Sequence, residues 1–184
     1  MEKQLFKPKA TTKPLKPIAD YALAIVAKRE HSVAELTRKL RTKGYGKAET
    51  EALVADFKGR NYVNDARFAS ARARTRAEHS KWGEGRIKQE LALSGVDKGL
   101  AASALGEVSE HHDWLAAATK LVKRRFPKPL PERNDADPAL TGVEFMKELQ
   151  KEKAKRVNFL LRRGFSMGQA VTALGLSQDE DYTE

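Results

Sequence analysis

From Ile18 to Phe126 the apolar positions show no strand-like alternation, and no proline interrupts them. Ala, Leu, Lys, Arg and Glu, all good helix formers, dominate the stretch. The pattern predicts an all-α protein, and start and stop signals divide it into helices. Tyr21, Leu23, Ile25 and Val26 predict a buried first helix from Ile18 to Glu30. Ser32 with Glu35 forms a capping box that opens a second helix, closed by Gly44. A third, from Lys47 to Gly59, buries Leu53, Val54 and Phe57. Asn64 or Asp65 caps a fourth. A fifth runs from Gly83 to Gly95, and a sixth starts after Asp97 and reaches Val108. The seventh carries Trp114, Leu115, Leu121 and Val122, with His111 and His112 in its first turn. Thr141 with Glu144, and Ser166 with Gln169, box the starts of the eighth and ninth.

One phrase is written three times: LRTKGY (Leu40 to Tyr45), LALSGV (Leu91 to Val96) and LLRRGF (Leu160 to Phe165). Each is a helix stop in which a left-handed glycine lets the next residue fold back onto the leucine. A Cβ at that glycine costs about 1–2 kcal/mol, so Gly44, Gly95 and Gly164 are expected to be structural C-caps. Three copies divide the nine helices into three tandem three-helix repeats forming an elongated, curved array. The first helix of each carries an aromatic and then a small or aliphatic residue: Tyr21-Ala22, Phe68-Ala69 and Trp114-Leu115. The expected units are 18–62, 63–109 and 110–176, between a flexible basic tail (1–17) and an acidic tail (177–184). The third unit departs from the pattern. All prolines outside the N-terminal tail fall in an insert at 127–141, and Arg156 stands where the others have Leu36 and Ile87.

Charge sharpens this picture. Over 184 residues the formal net charge is +10. Lys3, Lys7, Lys9, Lys13 and Lys16 against Glu2 give the first tail +4. Asp179, Glu180, Asp181 and Glu184 give the last −4, so the whole surplus belongs to 18–176. A basic body of this kind favours a polyanionic partner. There is no cysteine, which excludes disulfides and thiolate chemistry and fits a reducing cytoplasm. No apolar segment is long enough for a signal core or a membrane span.

Chemistry-bearing motifs are missing. His31, His79, His111 and His112 have no histidine partner at helical spacing. Gly83 to Arg86 carries glycines without a preceding strand, and no phosphate loop or nucleophile elbow occurs. The expectation is a protein with no catalysis, metal or cofactor. The fourth helix is more informative. On a helical wheel Phe68, Ala71 and Thr75 point one way, and Ala66, Ala69, Ala73 and Ala77 nearly the opposite way. Arg72 and Arg76 fall on one flank, Arg67 and Arg74 on the other. Two small or apolar faces predict a helix packed between two neighbours with arginines emerging at both edges. Those arginines either bond nearby carboxylates or form a cationic rib facing phosphates or an acidic protein. Lys81, Arg86 and Lys88 follow, then Lys123, Arg124 and Arg125, then Lys153, Lys155 and Arg156, then Arg162 and Arg163. Charge distributed in this way suits a long polyanionic track better than a compact pocket.

The segments REHSVAELTRKLRTKGY, NYVNDARFA, GEGRIKQELALSGV and RRGF, in that order, resemble the RecX family of bacterial recombination regulators. The resemblance runs from Ile18 to Leu174. It implies tandem three-helix repeats and a monomeric, non-enzymatic cytoplasmic regulator. Such a regulator binds RecA and the RecA–DNA filament, restrains recombinase, ATPase and coprotease activities, and also touches single- or double-stranded DNA. The alternative is a general helical DNA-binding protein that acts on nucleic acid alone.

Overall fold

The computed structural model describes residues 16–133 and 141–176, so the expectations for most of the basic tail, for the acidic tail and for residues 134–140 of the insert lie outside the described residues. Those described residues form nine α-helices and no strand. In order they are α1 (Ile18–Val26), α2 (Val33–Lys43), α3 (Lys47–Gly59), α4 (Asp65–Glu78), α5 (Glu84–Leu93), α6 (Lys98–Ser109), α7 (Trp114–Arg125), α8 (Gly142–Arg162) and α9 (Met167–Ala173).

The start signals work as their chemistry demands. Ser32, Asn64, Asp97, Asp113, Thr141 and Ser166 each accept a first-turn amide. Full capping boxes form at Thr141–Glu144 and Ser166–Gln169. The box at Ser32 is half made. Its hydroxyl accepts from the Glu35 amide at 2.9 Å, but the Glu35 carboxylate turns away to Arg29. Two further expectations need correction. α1 ends at Val26, and Leu23 is 40% exposed, because the stripe that faces the neighbouring helices is Ile18, Tyr21, Ala22, Ile25 and Val26. His111 and His112 precede the Asp113 cap and so lie before α7.

The repeated stop phrase behaves as one motif. Gly44, Gly95 and Gly164 have φ of 109°, 76° and 92°. The amides of Tyr45, Val96 and Phe165 donate back to the carbonyls of Leu40, Leu91 and Leu160. A fourth clasp closes α9, where Gly175 has φ of 67° and Leu176 bonds back to Val171. It begins with Val, so a search keyed to leucine passes over it.

The closest helix packing falls into three triads, α1–α3, α4–α6 and α7–α9. Their cores are not equally separate. The first triad has its own, built on Ala22, Leu36, Leu40, Val54 and Phe57, and it includes Val63, which the expected boundary placed in the next unit. The second and third share a continuous core from Phe68 and Ile87 through Leu121 to Leu160 and Val171. Where Leu36 and Ile87 are fully buried, Arg156 is 7% exposed. Its guanidinium donates to Glu152 at 3.1 Å and to the Pro129 carbonyl at 3.0 Å, and lies over Phe126. A core position has thus become a tether for the start of the insert.

Successive triads meet by one device used twice. The first turn of α2 sits on the clasp of α5, and the first turn of α5 sits on the clasp of α8. At the first joint the Ser32 hydroxyl donates to the Ser94 carbonyl at 2.6 Å, and the Val33 amide donates to Asp65 at 2.9 Å. Ala34 lies so close to Gly95 that a Cβ there would come within 2.5 Å of its methyl. At the second joint the Gly83 and Gly85 amides donate to the Arg163 and Gly164 carbonyls at 2.8 and 2.9 Å. First-turn amides and last-turn carbonyls, which no helix satisfies internally, thus satisfy each other across the joint. In α8 the residue matching Ser32 and Gly83 is Glu152, well inside a helix that started at Gly142.

Candidate functional site

The cations were the expected functional residues, and the structure sorts them by their partners. α4 has one buried face rather than two. Phe68, Ala69, Ala73 and Ala77 are buried, while Ala66, Ala71 and Thr75 are exposed. At 100° per residue Arg72 and Arg76 fall between Phe68 and the alanines, inside the buried arc. Both point inward, Arg72 to the first joint and Arg76 to α5 and the turn before it. Arg76 is held bidentately by Glu90 of α5, with both bonds at 2.6 Å, and stands over the Trp82 ring. Arg72 bridges Glu35 of α2 at 3.6 Å and Glu90 at 3.8 Å, and Glu35 is also paired with Arg29 at 3.0 Å. The result is a half-buried ladder, Arg29–Glu35–Arg72–Glu90–Arg76, whose Glu35–Arg72 rung crosses from the first triad to the second. The bonds it donates to Glu90 hold the Arg76 guanidinium above its ordinary pKa despite partial burial. Beside the ladder, burial outweighs the bond to the Arg29 carbonyl and lowers the His31 pKa.

These contacts correct the predicted rib. Arg67 is paired with Glu30 at 2.6 Å, and Arg72 and Arg76 belong to the ladder. Arg156 is buried, and Lys155 is paired with Glu152 at 3.0 Å. Burial raises the Glu152 pKa, but the bonds from Lys155 and Arg156 prevail and leave it lowered. Lys153 is half-buried and has a partner of its own. Arg74, Lys88, Lys123, Arg124 and Arg125 are exposed, and Arg125 lies over Phe126. Of the α4 arginines only Arg74 keeps an exposed charge without a carboxylate. It borders a hollow of about 130 Å³ with Glu78, Glu107, His111 and His112.

The second joint gathers the rest. Laying residues 80–86 beside 162–164 puts Arg86 and Arg162 on one notch, with Lys81 and Arg163 in the same two segments. Lys81 donates to the Glu78 carbonyl. Arg86 donates to the Arg162 carbonyl at 3.2 Å and lies 4.1 Å over the Trp82 ring. Arg163 donates to the Ser80 carbonyl at 3.5 Å and stands over Phe159. None of the four meets a carboxylate among the described residues. The acid within this stretch, Glu84, accepts instead from Ser109 of α6. An open notch of about 460 Å³ runs between Arg86, Gln89 and Arg162, floored by Gly85, Gly164 and Phe165. Arg86 is fixed there by a ring and a carbonyl, which consume some donors but neutralise no charge.

Sequence reasoning named the basic residues but missed Glu35, Glu90 and Trp82. Two arginines four apart within an otherwise apolar arc were the available signal, since buried arginines require carboxylate partners. Among the described residues no group of three or more His, Cys, Asp or Glu could hold a metal, and no helix is long and apolar enough to cross a membrane.

Three-helix units in tandem define a class of helical repeat proteins. Comparison then gives the family. Residues 20–57 match the model of the first three-helix domain of RecX, and residues 64–105 the second. The Regulatory protein RecX of Vibrio vulnificus is 33% identical over 163 residues, covering 89% of this chain and 94% of that protein. That of Leptothrix cholodnii is 31% identical over 171 residues, covering 93% and 96%. The crystal structure of RecX from Lactobacillus salivarius superposes with a TM-score of 0.61 at 20% identity, covering 86% of this chain and 92% of that one. The chain belongs to the RecX family of regulatory proteins.

Proposed function

We propose that this protein binds RecA and its nucleoprotein filament and restrains recombinase, ATPase and coprotease activities, and so regulates DNA repair and the SOS response. It acts by binding, without chemistry of its own. The observation that carries this reading is likeness to proteins named as RecX regulators along nearly the whole of both chains. The joint cluster supports it: an extended partner with repeating negative charge is what an open, unneutralised cationic surface accommodates. The competing reading, a helical protein that acts on nucleic acid alone, shares the basic surface and differs in its need for RecA. Capture of purified RecA by the immobilised protein without DNA separates the two. Retention of RecA supports the filament regulator, whereas retention only with DNA present favours the alternative.

A further inference from the structure

The two joints can be laid over each other by counting from cap and clasp. Glu35 of α2 and Arg86 of α5 each stand three residues past their caps, Ser32 and Gly83. Leu93 and Arg162 each stand two residues before their clasp glycines, Gly95 and Gly164. At the first joint the cap-side position is used inside the fold, because Glu35 is paired with Arg29 and Arg72. At the second it is not. Arg86 meets only the Trp82 ring and the Arg162 carbonyl, and the exposed Arg162 side chain has no partner among the described residues. Both line the open notch of about 460 Å³, together with the exposed amide of Gln89 and half-buried Leu161.

The helix that walls the notch indicates what fills it. Arg86, Gln89 and Leu93 fall at i, i+3 and i+7, one stripe of α5 about 10 Å long. Leu93 is 75% exposed, more than any other large apolar side chain among the described residues. A guanidinium resting on a ring loses little freedom on binding, and arginine beside apolar surface is the composition of a protein–protein contact. Phosphates offer nothing to the leucine. We infer that the notch receives an acidic segment of a protein partner. Its carboxylate lies between Arg86 and Arg162, within reach of the Gln89 amide, and an apolar side chain of the same segment lies on Leu93. The notch thus takes the protein side of the proposed partnership and not the nucleic-acid side. Use of RecA as that protein rests on the function proposed above, whereas the acidic and apolar character of the segment does not.

The full-length chain carries its own reporter. It has two tryptophans, so Trp114→Phe leaves Trp82, the ring under Arg86, as the sole indole. In that background a short acidic peptide bearing two leucines is expected to shift the Trp82 emission. Its counterpart of equal charge, with serine at both positions, should bind about 5-fold more weakly or worse. Arg162→Glu and Leu93→Ser change exposed positions, and circular dichroism melts check that both fold. Each is expected to weaken the leucine peptide about 5- to 20-fold, and Leu93→Ser to leave the affinity for a labelled oligothymidylate unchanged. No shift, equal binding of the two peptides, or no loss in either variant overturns the inference. So does loss of oligothymidylate binding in Arg162→Glu with the peptide retained, because the notch then holds a strand. Capture of purified RecA without DNA is the second arm. Weaker capture by both variants supports the inference, and equal capture by parent and variants overturns it. Failure of the parent itself to capture RecA would remove the proposed function and leave the peptides to decide.

Discussion

The two joints are built on one plan and held by different forces. At the first, side chains do the fastening: Arg72 meets Glu35, Arg67 meets Glu30, and Ser32 and Asp65 add single bonds between two separate cores. At the second, glycine backbone meets clasp carbonyl directly, a single core runs beneath, and the cations meet no carboxylate among the described residues. Arg86 and Arg163 also bond across this joint, but to carbonyls, so their charge is not cancelled there. Basic residues of this chain therefore cannot be ranked by count or spacing, only by whether the fold supplies their carboxylate.

The largest effect is expected where the shared plan is forced to be identical. Ser32 and Gly83 occupy the same cap position, but a Cβ at Gly83 would overlap the Gly164 carbonyl and the Phe165 amide. Gly83→Ser should destabilise by about 3 kcal/mol through overpacking. The reciprocal Ser32→Gly should lose only about 1 kcal/mol, the worth of its bond to Ser94. Urea melts of both decide the point, and equal losses would show the joints to be alike after all. Next comes Glu90→Gln, which removes the acceptor shared by two arginines and should cost about 2 kcal/mol. Its loss should shrink in high salt, where the parent ladder is itself weakened, and hydrogen exchange should rise in α2 before it rises in α8.

The smallest effect should come from His31, 4% exposed beside the ladder. Its lowered pKa means the unfolded chain binds a proton that the folded chain resists. This contribution is therefore complete above the unfolded imidazole value of about 6.5 and is lost as pH falls toward the folded one. Melting temperatures from pH 7.5 to 5 should decline less steeply in His31→Gln than in the parent.

Much of the fold was legible in the sequence because helix ends are local. Caps such as Thr141 and Ser166 and clasps such as Leu40-to-Tyr45 involve residues within six positions, so spacing alone identifies them. The candidate surface was less legible. The carboxylates that capture Arg72 come from α2 and α5, and the second joint's cations from α5 and α8 with the turns beside them. Their pairing depends on how triads dock, which no short-range pattern encodes. The same holds for Gly83, whose missing side chain serves a backbone that arrives some eighty residues later.

The long α8 carries a consequence for growth. A helix that begins at the joint presents its cap and first turn to the next clasp, as α2 and α5 do. The cap of α8 lies eleven residues earlier, at Thr141, and at Glu152, where the matching end would lie, the amides are already engaged within the helix. The third triad accepts a neighbour through its clasp and offers no such helix start in return. In the polymer sense it is a chain terminator: lengthening this molecule through the same joint would require new units to be spliced in ahead of α7.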